Sequence, residues 1–326
     1  MSTLIFDQVR AVEVLSMLSS AYLEQRMLYE RVNSSLLSAP QQAHIPKDII
    51  KGSRAHQIFL FFTTVITYAS ESDMGFRQSV DLYNRFPEYF GEELLHLDVS
   101  DVSTALLSVG FVRPNQGAGY WHGSGTSLYR EFGGEPSEFF SVSGVDEFLQ
   151  RKKQLSKKFG KEALPGIGPK IFSLMSLFFE ELGIIPEMPG AFPVDLHVQR
   201  IMISCGIVQG SGRVPASEVA EFIRPRLYAH CVTHGIRPLD LSHALWFLGN
   251  RVCTVCRQVE GLPMVCPVEQ RCGGAIPSMI YGRKGLWDLD AVRHRKGSLQ
   301  SSLFDFDSVV VLDKAHHGRR RAVRMY

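Results

Sequence analysis

Apolar side chains recur at helical spacing along most of the chain, and this pattern predicts a mainly α protein. Residues 58–68 are mostly apolar, which is typical of a helix at the centre of a helical core. Residues 38–53 contain two prolines and are predicted to form a linker. Few segments show the alternation expected of strands. The predicted helices cover residues 8–37, 58–68, 81–90, 101–107, 145–159, 171–182, 196–207 and 240–252.

The composition supports a sizeable core and excludes a strongly basic chain. The protein has 326 residues, 45% of them hydrophobic, and a formal net charge of +2. A nucleic-acid interface would therefore be a local patch. No apolar stretch reaches the roughly 18 residues that span a bilayer, and the N-terminus lacks the pattern of a secretory signal. We expect a cytoplasmic protein that does not enter a membrane.

Two segments in the middle of the chain depart from plain helical patterning. Residues 113–126 hold four glycines beside Tyr120 and Trp121, which favours either a loop that approaches a ligand closely or an ordinary surface turn. Residues 145–159 form an amphipathic segment whose cations face either solvent or phosphate. These cations are Arg151, Lys152, Lys153, Lys157 and Lys158.

A turn motif separates this basic segment from the apolar helix that follows. It reads Leu-Pro-Gly-Ile-Gly-Pro-Lys over residues 164–170. Gly166 and Gly168 flank Ile167 and permit a tight turn with exposed backbone N–H groups, and proline suits the first position of a helix. Such N–H groups at a helix N-terminus favour an anion, and a DNA phosphate fits as a sequence-independent anchor.

A second motif, Val-Asp-Leu-His-Val-Gln-Arg, covers residues 194–200. Together the two motifs resemble the helix-hairpin-helix and the catalytic aspartate segment of the endonuclease III-like (HhH-GPD) superfamily of DNA glycosylases. The resemblance spans roughly residues 56–272, and the two motifs are its specific part. It implies double-stranded DNA as the partner and base-excision repair as the function, in association with the nucleoid or, in a eukaryote, in the nucleus.

The resemblance also implies two helical domains. Residues 50–185 would form a barrel-like helical domain with the hairpin, and residues 1–49 with 186–275 would form a second helical domain with a loop of clustered cysteines. Residues 276–326 would be a C-terminal extension, in which residues 304–312 are strand-like and Trp287 is a candidate anchor to the core.

The family's chemistry transfers to two residues of this chain. A carboxylate that stabilises a cation-like sugar or activates the nucleophile corresponds to Asp195, which also fits the N-cap of a helix. Members that cleave the strand use a lysine at the position of Lys170, whose amine forms a Schiff base with the sugar before β-elimination. The alternative for Lys170 is pairing with phosphate. Asp195 follows Lys170 by 25 positions, more than the family spacing, and residues 180–192 carry the signs of a looped insertion.

Four of the six cysteines lie close together, at Cys253, Cys256, Cys266 and Cys272, whereas Cys205 and Cys231 stand apart in the sequence. Four thiolates at such spacing hold either a [4Fe–4S] cluster or a structural zinc ion. Endonuclease III relatives carry a [4Fe–4S] cluster after the catalytic domain, and the gap between the last two cysteines agrees with theirs. The resemblance therefore favours iron–sulfur, with zinc as the alternative.

The motifs together predict a bifunctional DNA glycosylase with AP-lyase activity. A base flipped out of the duplex needs aromatic side chains to stack on, and Phe62, Tyr120 and Trp121 are candidates for that pocket. One alternative is a phage-associated relative of the fold that processes hypermodified thymine. Another is a DNA-binding relative without catalysis, against which the presence of both Lys170 and Asp195 argues. The motifs leave the target base and the oligomeric state open.

Overall fold

The computed structural model describes residues 4–32, 38–67, 72–253, 265–272, 276–280 and 285–293. Helices dominate these residues, so the predicted mainly α class is confirmed. The α-helices are α1 (Gln8–Leu23), α2 (Pro40–Ala43), α3 (Arg54–Ile66), α4 (Ser72–Arg85), α5 (Val99–Ser108), α6 (Pro114–Glu131), α7 (Val145–Phe159), α8 (Pro169–Glu181), α9 (Leu196–Ser204), α10 (Ala216–His234), α11 (Pro238–Phe247) and α12 (Glu269–Cys272).

The described strands are short and antiparallel. One pair joins β1 (Ile5–Phe6) to β2 (Val208–Gln209). A three-stranded sheet has the order β3-β5-β4 and consists of β3 (Arg213–Pro215), β4 (Ile276–Ile280) and β5 (Leu286–Arg293). None of the described helices has the length and apolar character needed to cross a membrane.

The chain divides into two compact units. Residues 38–193 form the first, which we call the hairpin unit. The described residues of 1–37 and 194–326 form the second, which we call the terminal unit. Lys170 belongs to the hairpin unit and Asp195 to the terminal unit.

The segment predicted as a linker, residues 38–53, is packed into the hairpin unit. It contains α2, in which Pro40 and Gln41 are buried. The Gln41 amide donates a 3.0 Å hydrogen bond to the carboxylate of Glu181 at the end of α8. The linker prediction was wrong here because a proline begins a helical turn as readily as it ends one.

Aromatic side chains form the core of the hairpin unit. Phe62 of α3 stacks on Trp121 of α6 with ring centroids 4.7 Å apart, and both are fully buried. Phe148 of α7 stacks on Phe172 of α8 at 4.1 Å. Because large rings bury much apolar area, this second pair fixes the helix before the hairpin turn to the helix after it.

The glycine-rich segment at residues 113–126 is helical, so both the ligand loop and the surface turn were wrong. It forms most of α6, which begins at Pro114. The glycines are needed for close packing, since a Cβ on Gly125 would lie 2.8 Å from the ring of Phe62 and closer still to the side chain of Leu94. This packing outweighs the low helix propensity of glycine.

Buried polar contacts tie the elements of the terminal unit together. The Tyr29 hydroxyl donates a 2.8 Å hydrogen bond to the carbonyl of Ala244 in α11. Trp287 of β5 is fully buried, and its indole N–H donates a 2.7 Å hydrogen bond to the side-chain oxygen of Gln199 in α9. Trp287 thus anchors β5 on α9, while residues 304–312 lie outside the described part of the chain.

Two glycines of α6 predict opposite effects of the same substitution. A Cβ added to Gly119 would meet no atom within 4 Å, whereas a Cβ added to Gly125 would collide with Leu94 and Phe62. We expect Gly119→Ala to raise the free energy of unfolding by about 0.5–1 kcal/mol through helix propensity. We expect Gly125→Ala to lower it by about 1–3 kcal/mol through overpacking. Urea denaturation followed by circular dichroism measures both, and equal effects of the two variants would contradict the helical packing of α6.

Candidate functional site

The hairpin turn connects α7 to α8 and is anchored by apolar side chains. α7 ends at Phe159, with Gly160 as its C-cap, and α8 begins at Pro169. Leu164 and Ile167 are buried, and the N–H of Ile167 donates a 3.1 Å hydrogen bond to the carbonyl of Leu164. The turn therefore has a fixed backbone between two buried residues.

The outer residues of the turn rest on α6. Gly123 lies so close to Pro165 that a Cβ on the glycine would be 2.5 Å from the proline ring. The Ser124 hydroxyl donates a 2.7 Å hydrogen bond to the carbonyl of Pro165. The hydroxyl of Ser127 accepts a 3.2 Å hydrogen bond from the N–H of Leu164. Small residues on one face of α6 thus pack against the turn and hydrogen-bond to it.

Gly166 is required for two independent reasons. Its φ is +82°, in the left-handed region that other residues adopt at a cost. A Cβ there would also lie 2.8 Å from the ring of Tyr120 in α6. Tyr120, a candidate for the base pocket, therefore packs under the turn.

The turn leaves two backbone donors for a ligand. Among the described residues, the N–H groups of Gly166 and Gly168 have no acceptor. Gly168 is the N-cap of α8 and supplies no capping side chain. Helix N-termini of this kind attract anions, because unpaired N–H groups and the helix dipole act together.

Lys170 lies directly after these donors, at the second position of α8. Its side chain is half-buried and forms no hydrogen bond or ion pair with a described residue. No other described group of the protein therefore engages the Lys170 ammonium.

Asp195 caps α9, as its position before a helix predicts. Its Oδ1 accepts hydrogen bonds from the N–H groups of His197 at 2.8 Å and Val198 at 2.9 Å. Its other oxygen, Oδ2, receives no donor from the described residues, and the residue is half-buried. The cap fixes the carboxylate and leaves one oxygen for a ligand.

A π-helical segment supports the start of α9. Residues Leu248–Cys253 continue α11 as a π-helix, a rare form that is frequent at functional sites. Within it, Gly249 comes so close to α9 that a Cβ would lie 2.5 Å from the Cβ of His197. The residue two places after Asp195 is therefore packed against the segment that ends at the first predicted cysteine ligand.

The structure places a fifth cysteine beside the clustered cysteines, although it is distant from them in the sequence. Cys205, at the C-cap of α9, is buried and hydrogen-bonds to Cys272. It also interacts electrostatically with Cys266 and Cys253. The hydrogen bond to Cys272 and burial hold the pKa of the Cys205 thiol well above its usual value. Only the fold reveals this proximity, because 48 positions separate Cys205 from Cys253.

Cys256 lies outside the described residues, so the full predicted ligand set is not described. Within the described ranges, no group of three or more His, Cys, Asp or Glu side chains is arranged to hold a metal ion. The pKa of nearby Tyr29 is raised, first by burial and then by the thiols of Cys266 and Cys253. Cys253, Cys266 and Cys272 are half-buried and lie in the same region of the terminal unit as the buried Cys205.

Two residues suggested for a base pocket lie in the core instead. Phe62 and Trp121 are fully buried and stacked on each other, and the Trp121 indole N–H donates a 2.9 Å hydrogen bond to the carbonyl of Tyr89. Neither ring has a free face for a flipped base, so this assignment was wrong. The sequence pattern of α3 and α6 does not separate buried from exposed aromatic side chains.

Most of the cations of α7 are engaged within the hairpin unit. Arg151 lies over the ring of Phe132 at 4.6 Å, and Lys158 donates 2.8 Å hydrogen bonds to Glu131. Lys152 donates a hydrogen bond to the carbonyl of Ile167 in the turn. Lys153 and Lys157 are exposed and form no ion pair with a described residue, so the potential phosphate face is narrower than the basic run predicts.

The predicted looped insertion before Asp195 is packed in the hairpin unit. Met188, Ala191 and Phe192 are buried. The carbonyl of Pro189 accepts a 3.3 Å hydrogen bond from the N–H of Val145, the first residue of α7. The additional length therefore contributes to the core next to the start of α7.

No protein-family model matches the chain, and no curated protein matches it. Among solved structures, the chain is similar to the 8-oxoguanine DNA glycosylase of Thermotoga maritima, with 17% sequence identity and a TM-score of 0.45. The match covers 73% of this chain and 96% of that chain.

The double role of Asp195 makes its two simplest substitutions behave differently. Asp195→Asn keeps an oxygen for the N–H groups of His197 and Val198, so we expect the free energy of unfolding to change little. Asp195→Ala removes the acceptor and should lower that free energy by about 0.5–2 kcal/mol. Urea denaturation distinguishes the variants. An alanine variant as stable as the wild type would rule out the capping role.

Proposed function

We propose that the protein is a DNA base-excision glycosylase with AP-lyase activity that acts on double-stranded DNA. The observation that carries the proposal is the hairpin turn, whose Gly166 and Gly168 N–H groups lack acceptors among the described residues just before Lys170. Two such donors at a helix N-terminus suit a backbone phosphate. A lysine beside them suits attack on the sugar that the phosphate carries.

Lys170 is assigned to the strand-cleaving step. Its uncharged amine attacks C1′ of the open-chain sugar, water leaves, and an imine forms between the two. Loss of a proton from C2′ then expels the 3′ phosphate in a β-elimination. Hydrolysis of the imine returns the lysine, so the step balances without an oxidant or a reductant.

Asp195 is assigned to the excision step. When the bond between base and sugar breaks, the sugar gains positive charge, and a carboxylate held in advance stabilises that charge. The capping hydrogen bonds occupy Oδ1, so Oδ2 remains for this interaction. A capped carboxylate also needs no reorganisation when the charge develops.

Borohydride trapping on a duplex with an abasic site tests Lys170. The wild type should give a covalent adduct, and Lys170→Ala should give none, because the imine requires the amine. The matched control is Lys51→Ala, which removes an exposed lysine that the site does not include and should keep the adduct. Strand cleavage that survives Lys170→Ala would contradict the lyase mechanism.

Asp195→Asn separates excision from strand cleavage. On duplexes with uracil, 8-oxoguanine or thymine glycol, we expect excision of whichever base the protein removes to fall about 10²–10³-fold. The adduct on a preformed abasic site should remain. DNA binding without excision or adduct would instead favour the non-catalytic relative. Activity confined to DNA with hypermodified thymine would favour the phage-type alternative.

We further infer that the clustered cysteines hold a [4Fe–4S] cluster, with structural zinc as the alternative. The inference is supported by Cys253, Cys266 and Cys272, each of which interacts with the thiol of Cys205. Thiolates are the ligands that both groups take, and the predicted fourth ligand is Cys256. The role of the group would be structural, holding the segment after α11 in place.

Metal analysis of the purified protein tests this inference. We expect about four iron atoms per chain, with a thiolate-to-iron absorbance band. Cys266→Ser should reduce both, whereas Cys231→Ser, which changes a cysteine of α10, should leave both unchanged. About one zinc ion per chain without iron would establish the alternative. A wild-type protein without either metal would exclude both.

A further inference from the structure

Two side chains of the hairpin unit hold carbonyl groups of the turn. Ser124 of α6 donates a 2.7 Å hydrogen bond to the carbonyl of Pro165. Lys152 of α7 donates a 2.9 Å hydrogen bond to the carbonyl of Ile167. Ser124 is fully buried, and the Lys152 side chain is only 17% exposed, so both contacts are partly shielded from water.

These carbonyls belong to the same peptide groups as the two unpaired donors. The carbonyl of Pro165 shares its peptide plane with the N–H of Gly166, and that of Ile167 shares its plane with the N–H of Gly168. A trans peptide directs its C=O and N–H to opposite sides, and there is no cis bond among the described residues. A side chain that holds either carbonyl inward therefore turns the matching N–H outward.

We propose that Ser124 and Lys152 are positioning residues of the DNA-backbone interface, which aim the Gly166 and Gly168 N–H groups at a phosphate without contacting it themselves. This inference rests on the proposed function, because it takes DNA as the ligand of the turn. It assigns a role to the serine in the glycine-rich helix and to one lysine of the basic helix. Neither role follows from the turn motif alone.

The charge of Lys152 is balanced within the protein. Its ammonium lies 3.0 Å from the carboxylate of Glu162, so the pair adds little net charge to the surface. A cation that contacts phosphate displaces a counterion, and its loss lowers the salt dependence of DNA binding by about one charge. Loss of a positioning lysine instead weakens DNA binding without changing that salt dependence.

The experiment measures binding of a fluorescent duplex with a stable abasic-site analogue at several salt concentrations. The variants are Ser124→Ala and the double substitution Lys152→Met/Glu162→Gln, which keeps the charge balance. We expect each to bind about tenfold more weakly at every salt concentration, with an unchanged slope of log affinity against log salt. Ser127→Ala is the matched control, because Ser127 bonds the same turn through the Leu164 N–H and not through either carbonyl.

A second readout does not depend on affinity. In the wild type, DNA should shift the amide resonances of Gly166 and Gly168, and this shift should be reduced for Gly166 in Ser124→Ala and for Gly168 in the Lys152 variant. Thermal midpoints identify any variant that fails to fold. A folded variant whose loss of affinity leaves both shifts intact would overturn the inference.

The outcomes separate the inference from the proposed function. If the wild type binds no duplex, the proposed function fails and the inference fails with it. If the wild type binds and the two variants bind equally well, only the inference fails. A slope that falls by about one in the Lys152 variant would show direct phosphate contact and would also overturn it. If Ser127→Ala loses as much affinity as the two variants, Ser124 and Lys152 only stabilise the turn, and the inference is overturned.

Discussion

The close approach of α6 to the hairpin turn is the contact on which the candidate DNA interface depends. Gly123 has no side chain and so leaves room for the ring of Pro165. Because α6 can approach the turn this closely, the Ser124 hydroxyl reaches the carbonyl of Pro165. A larger residue at either position would displace the turn, and the first residues of α8 would move with it. The position of Lys170 is therefore determined by a neighbouring helix as much as by its own motif.

Local features of the site could be predicted from the sequence. The helices predicted at residues 145–159 and 171–182 match α7 and α8 to within two residues at each end. Asp195 caps a helix, as an aspartate before an amphipathic segment favours. These predictions succeed because a cap and a glycine turn depend on a few consecutive residues.

Features that depend on distant residues were missed. The glycines of α6 predict a loop in isolation, and only the packing of Leu94 and Phe62 against Gly125 explains why they lie in a helix. α10 was not predicted because Pro225 interrupts its pattern, although the helix continues through it. Burial of Trp121 and the contact of Cys205 with the other thiols are likewise results of tertiary structure.

The helix α9 carries a chemically distinct group at each end. Asp195 caps its N-terminus, and Cys205 stands at its C-cap beside the other thiols. A helix of 9 residues is about 13 Å long and too short to bend appreciably. The carboxylate of Asp195 and the thiol of Cys205 therefore sit at a fixed separation, set by the length of one short and rigid helix.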